Sequence, residues 1–175
     1  MTQTVVTLIG LMGAGKSKVG RAAAAELRRP FVDTDEIVAE TAGMTITEIF
    51  EHEGEAAFRR RERAALAVAL ARAGAIVSVG GGAVLDPAGA ERMRAAGPVV
   101  WLYAEPETLA ARLHKSVLRG DRPLLADDEP RHVLRRLLDQ RRDAYTAAAA
   151  VTLCTDGLAV DQSAALLADW IREHV

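Results

Sequence analysis

The chain has 175 residues, a length that suits one domain, and half of them are hydrophobic, enough to bury a core. The formal net charge is −2. There is no global basic excess, so neither nucleic acid nor an anionic membrane is the expected partner, and an anionic ligand would have to be met by a local cluster of positive charge.

The chain opens Met1-Thr2-Gln3-Thr4 and runs directly into a short apolar segment. It lacks the charged start and long apolar stretch of a signal peptide. No apolar run approaches the roughly 18 uncharged residues that a membrane span needs, so the cytoplasm is the expected compartment. Residues 5–9 are apolar and followed by glycines, which predicts a buried strand. Residues 16–28 are strong helix formers, with Val19, Ala23 and Leu27 spaced for one face. Pro30 ends that helix, and Phe31-Val32 form a very short strand leading into Asp33-Thr34-Asp35.

A helix-rich stretch over 36–73 breaks near Gly43. Thr45 and Thr47 are both candidate caps for a new short helix that Gly54 ends, and 55–72 reads as a longer one. Residues 76–79 form a strand stopped by Gly80-Gly81-Gly82. A helix over 87–96, a strand over 99–102 and a helix over 106–113 follow. Residues 114–129 are polar, without clear periodicity, and read as the mobile part of the chain. A helix over 131–150, a strand over 151–154 and a helix over 159–174 complete the pattern. The single cysteine, Cys154, cannot form an internal disulfide; within its apolar run it reads as a buried thiol. Short apolar strands alternating with helices predict an α/β fold with a parallel sheet and helices on both faces. No internal repeat, linker or coiled coil is visible, and the chain reads as a monomer.

Gly10-Leu11-Met12-Gly13-Ala14-Gly15-Lys16-Ser17 fits G-x-x-x-x-G-K-[ST] between a predicted strand and a predicted helix. Glycines there let successive backbone N–H groups face a phosphate, and the helix N-terminus adds partial positive charge. Lys16 suits the β- and γ-phosphates, and the Ser17 hydroxyl suits Mg²⁺. Lys18, next along the loop, reads as a solvated side chain.

Asp33 and Asp35 fall at the carboxyl end of a strand, where open parallel sheets bind ligands. If that segment stays extended, alternation sends the two carboxylates to opposite sides, one toward Mg²⁺ and one toward a second ligand. Taken alone, the pair serves equally well as a helix cap. Arg59 and Glu62 are three apart on a helix, in Phe58-Arg59-Arg60-Arg61-Glu62-Arg63. That arginine suits a carboxylate ligand, and on spacing alone a surface ion pair fits equally. The three glycines after the third strand allow a ligand or loop to approach the backbone. Arg122 lies in the polar segment, as an arginine on a closing lid would, and Arg141 shares a helix face with Tyr145.

Together, Gly10–Ser17, Asp33-Thr34-Asp35, Gly54-Glu55, Phe58-Arg59 with Glu62, Gly80–Gly82, Arg122-Pro123-Leu124-Leu125 and Arg141 with Tyr145 resemble shikimate kinase, in the family's order and over nearly the whole chain. The resemblance implies a three-layer P-loop kinase fold, similar to nucleoside monophosphate kinases, with a five-stranded parallel sheet in order 2-3-1-4-5. It implies one domain over 1–175, with a substrate-binding helical region at about 34–63 and a lid at about 113–128. The implied reaction moves the γ-phosphoryl of MgATP to the 3-hydroxyl of shikimate. Gly13, Ala14, Gly15, Lys16, Ser17 and Lys18 would hold the phosphates, and Arg112 would flank the adenine. Ser17 would bind Mg²⁺ directly and Asp33 through water. Asp35 would hold ring hydroxyls and draw the proton from the attacking one. Arg59 and Arg141 would clamp the carboxylate, with Gly81 and Gly82 contacting the substrate beside them. Lys16 and Arg122 would neutralise charge on the transferring group.

The chain departs from the family's pattern in three places. Residues 112–122 form a longer stretch than usual, Lys18 replaces a threonine, and Thr155-Asp156-Gly157-Leu158 lacks the usual basic residue near the base. Two other functions share some of these features. A gluconate-type sugar-acid kinase shares fold and phosphate loop but not the D-T-D and F-R-x-x-E pieces. A nucleotide-dependent switch would not need a second acid-and-arginine pocket, and a GTP switch would want an N-K-x-D motif, which is absent.

Overall fold

The computed structural model describes residues 4–118 and 128–175. Its five strands are β1 (Val6–Ile9), β2 (Phe31–Asp33), β3 (Ile76–Ser78), β4 (Val99–Tyr103) and β5 (Val151–Cys154). All pair in parallel, in order β2-β3-β1-β4-β5, as the resemblance implies. β1 is central and buried at every residue, which is why Val6-Thr7-Leu8-Ile9 is nearly continuous in apolar character rather than alternating.

The helices are α1 (Lys16–Leu27), α2 (Thr34–Ala42), α3 (Ile46–His52), α4 (Gly54–Leu70), α5 (Pro87–Ala96), α6 (Pro106–Leu118), α7 (Pro130–Ala148) and α8 (Val160–His174). α1 packs against α8, and α6 against α7. The chain leaves β1 for the edge strand β2, returns to β3 between them, then crosses to β4 on the other side of β1. The carboxyl ends of β1 and β3 therefore border the crevice where such sheets take ligands.

A second, smaller core of Val38, Ile49, Phe58 and Ala65 ties α2, α3 and α4 together. Thr45 caps α3 through a reciprocal capping box with Glu48, so of the two candidate threonines the first does the work. Phe58 is buried in this cluster, 4.6 Å centroid to centroid from Phe50. Its burial fixes where the next residue, Arg59, leaves the helix.

Several expectations need correcting. α2 begins at Thr34, not Glu36, because the Asp33 carboxylate accepts the Asp35 N–H at 3.0 Å and caps it. Asp35 thus lies in a helical turn, and strand alternation does not separate the two carboxylates. Gly54 opens α4 rather than ending α3, which closes at His52. α6 runs on to Leu118, into the segment read as aperiodic. A 3-10 turn, Ala83–Leu85, follows the glycines. Cys154 is exposed rather than buried. β5 is an edge strand whose Leu153 faces inward while Thr152 and Cys154 face out, and the Cys154 thiol donates to Asp156 at 3.3 Å.

Candidate active site

The loop after β1 takes its shape from its glycines. Gly10, Gly13 and Gly15 have φ of 143°, 82° and 93°, and a Cβ on Gly10 would lie 2.4 Å from the Leu102 carbonyl oxygen. Only glycine adopts these angles freely and permits that approach. Gly15 then caps α1, so the loop lies over the positive end of a helix. The Lys16 ammonium donates to the Gly10 and Leu11 carbonyls at 2.8 and 3.2 Å, lying back across the loop. Lys18 is exposed, as read.

Beside this loop the Ser17 hydroxyl donates to Asp33 Oδ2 at 2.6 Å and stands 3.4 Å from the Ser78 hydroxyl. Asp33 and Ser78 are register partners on β2 and β3. Asp33 is buried, and one of its oxygens is committed to capping α2. A hydroxyl and a carboxylate at the foot of a phosphate loop form a hard-oxygen donor pair that fits Mg²⁺.

The second group of side chains gathers on Gly80-Gly81-Gly82. A Cβ on Gly80 would lie 2.7 Å from Glu62 Oε1 and 3.3 Å from Asp35 Oδ1. On Gly81 it would lie 3.3 Å from Arg141 Nη1 and 3.3 Å from the Gly10 carbonyl oxygen. On Gly82 it would lie 3.1 Å from Arg59 Nη1. None of these glycines has a positive φ, so their role is close approach rather than backbone conformation. Asp35, Arg59 and Arg141, far apart in sequence, thus converge on one stretch of bare backbone that itself abuts the phosphate loop.

Arg59 is held from two sides. Its Nη1 donates to Glu62 at 2.8 Å, and its Nε and Nη2 reach Glu55 at 3.4 and 3.3 Å. Burial works against the charge on Arg59, but Glu62 and Glu55 outweigh it and raise the pKa, so the guanidinium stays charged. A cavity of about 440 Å³ opens alongside, lined by Glu55, Arg59, Glu62, Arg63 and Gly82 among others.

Arg112 stands apart from both groups. It donates to the Thr155 hydroxyl at 3.0 Å and to the Thr155 carbonyl at 2.5 Å. It is therefore tied to the loop after β5, next to the position expected for the base. Arg122 lies outside the described residues.

Sequence reasoning missed Ser78, and did not foresee what Thr155 and Tyr145 do. A serine inside the apolar run 76–79, two residues before three glycines, was the available signal for Ser78. Thr155 was placed near the base, but nothing local marks its contact with Arg112, which spans 43 residues.

The fold and its phosphate loop define a P-loop phosphotransferase of the small-molecule kinase type. The family model described as shikimate kinase matches residues 12–172. A shikimate kinase from Symbiobacterium thermophilum is 45% identical over 169 residues, covering 97% of each chain. The chain belongs to the shikimate kinase family. A solved shikimate kinase from Acinetobacter baumannii in complex with shikimate superposes with a TM-score of 0.91 at 35% identity, covering 98% of this chain and 94% of that one. A gluconokinase from Sinorhizobium meliloti, at 18% identity and a TM-score of 0.58, shares the fold alone.

Proposed function

We propose that this protein transfers the γ-phosphoryl of MgATP to the 3-hydroxyl of shikimate, giving shikimate 3-phosphate and ADP. The observation that carries this reading is the convergence of Asp35, Arg59 and Arg141 on Gly80–Gly82, against the Gly10 carbonyl of the phosphate loop. A small acid bearing several hydroxyls suits one carboxylate and two guanidiniums, and its reacting hydroxyl then lies next to the triphosphate.

In this reading the backbone N–H groups of Gly13, Ala14 and Gly15, with Lys16, Ser17 and Lys18, hold the phosphates. Lys16 leaves the loop carbonyls and follows the β- and γ-phosphates. Ser17 and Asp33 hold Mg²⁺, which when bound neutralises charge on the phosphates. Asp35 orients the attacking hydroxyl and takes its proton. Arg59 and Arg141 fork onto the carboxylate, with Gly81 and Gly82 allowing the approach. Arg112, fixed by Thr155, flanks the adenine, and Arg122 neutralises charge on the transferring group. The catalytic gain comes from positioning and charge stabilisation, without a covalent intermediate. The whole chain is read as one domain and as a monomer in the cytoplasm, with residues 34–63 as the acceptor region; most of the expected lid, 113–128, lies outside the described residues. Among the described residues no helix is long and apolar enough to cross a membrane.

The test is an ADP-release assay with shikimate, quinate and gluconate side by side. Turnover is expected with shikimate. Equal or faster turnover of gluconate would transfer the chain to the sugar-acid reading.

A further inference from the structure

Tyr145 on α7 is completely buried, against Trp101 of β4 at 5.2 Å between ring centroids. Packing alone would be served as well by phenylalanine. The hydroxyl, however, donates to the Gly81 carbonyl at 2.6 Å across 64 residues of sequence. The Arg141 guanidinium, one helical turn earlier, lies close enough for its charge to act on the same hydroxyl. A Cβ built on Gly81 would have both Arg141 Nη1, at 3.3 Å, and the Tyr145 oxygen, at 3.7 Å, among its nearest neighbours.

We propose that Tyr145 is a positioning residue for acceptor binding, whose hydroxyl fixes the Gly81–Gly82 peptide beside the Arg141 guanidinium. This rests on the shikimate kinase reading of the site. A tyrosine hydroxyl donates once and accepts from others. Here the proton goes to the Gly81 carbonyl. Because the peptide is planar and trans, fixing the Gly81 carbonyl also fixes the direction of the Gly82 N–H. The bare stretch of backbone on which the acceptor would rest, beside the Arg141 guanidinium, is thus set by one buried atom. Burial also raises the pKa of the phenol, so the proton is retained at neutral pH; the nearby Arg141 opposes that rise without cancelling it.

The experiment compares Tyr145→Phe with the wild-type enzyme. Loss of the hydrogen bond that holds the Gly81 carbonyl, a buried acceptor left without its donor, predicts a KM for shikimate raised about tenfold. The KM for ATP and the kcat should stay within about threefold of wild type, the split expected when ground-state acceptor binding is lost. The inhibition constant of shikimate methyl ester, which presents no carboxylate, should hardly change. Equal loss for acid and ester, or a parallel rise in the KM for ATP, would reduce Tyr145 to packing and overturn the proposal. Should Tyr145→Phe not fold, 3,5-difluorotyrosine at position 145 keeps the shape but makes the phenol more acidic. Its KM for shikimate should then begin to rise at lower pH than in wild type; an unshifted profile overturns the proposal equally. Wild-type enzyme that turns over no shikimate would instead sink the functional reading itself.

Discussion

The Ser17 hydroxyl donates to the Asp33 carboxylate at 2.6 Å, joining the first turn of α1 to the end of β2. The contact exists because β2 and β1 flank β3, which brings the ends of two strands that are not neighbours within reach of one helix N-terminus. Asp33 is locked by its second duty as cap of α2. The donor pair is therefore arranged by the fold before any ligand arrives, which keeps the ordering cost of binding small.

Removing either member should weaken divalent-ion binding ahead of anything else. Ser17→Ala and Asp33→Asn are each expected to raise the Mg²⁺ concentration for half-maximal rate by about tenfold or more, as loss of a charge-assisted contact would. Mn²⁺ binding in the presence of ADP, read by electron paramagnetic resonance, should weaken in step. Unchanged Mn²⁺ affinity in Asp33→Asn would leave that residue as a helix cap and nothing more.

Asp35 differs from Asp33 in being exposed to the crevice, with Oδ1 beside Gly80. Asp35→Asn keeps the shape and removes the carboxylate that the proposed reaction uses as its base. Turnover should fall by about 100-fold or more, within the range that general-base groups contribute. ATP affinity, measured by calorimetry, should be preserved. Near-normal turnover would take Asp35 out of the chemistry.

Gly82 offers a separation of stability from function. Its φ of −100° is ordinary for alanine, so Gly82→Ala should leave the melting temperature unchanged or slightly higher. The added methyl, however, would lie 3.1 and 3.3 Å from the two terminal nitrogens of Arg59. That guanidinium is tethered by Glu55 and Glu62 and cannot retreat freely. A rise of about tenfold in the KM for shikimate is expected, the size of one displaced charged hydrogen bond. A KM equal to wild type would show that Arg59 does not serve the acceptor.

The sheet and the phosphate loop were legible because both are local. Apolar runs of four or five residues and G-x-x-x-x-G-K-S carry their meaning within a dozen positions. Asp33 and Asp35 were legible as a pair but not in their relative orientation. That depends on whether the chain is still extended at Thr34, and the Asp33 cap turns it helical one residue earlier than alternation assumes. Cys154 was misread for a related reason: an apolar run does not say which strand will be the sheet's edge, and edge position decides exposure. Ser78, Thr155 and the Tyr145 hydroxyl take their roles from partners 61, 43 and 64 residues away, a distance at which spacing arguments carry nothing.

The loop after β5 carries a pH-dependent tie. Both Asp156 oxygens accept the Glu105 N–H at 3.1 Å, linking that loop to the start of α6. Burial by itself would raise the Asp156 pKa, but hydrogen bonds from Thr108, Cys154 and the Glu105 N–H, with the charge of Arg112, bring it below the usual carboxylate range. A carboxylate depressed in the folded state stabilises it above the unfolded pKa and loses that contribution as pH falls through the folded value. Wild type should therefore melt above Asp156→Asn at pH 7, and the gap should close on acidification below about pH 4, where the unfolded-state carboxyl titrates. Because Arg112 is anchored to Thr155 in the same loop, Asp156→Asn should also raise the KM for ATP severalfold while leaving that for shikimate unchanged. A melting gap that persists at acid pH would mean that Asp156 acts through its shape and not its charge.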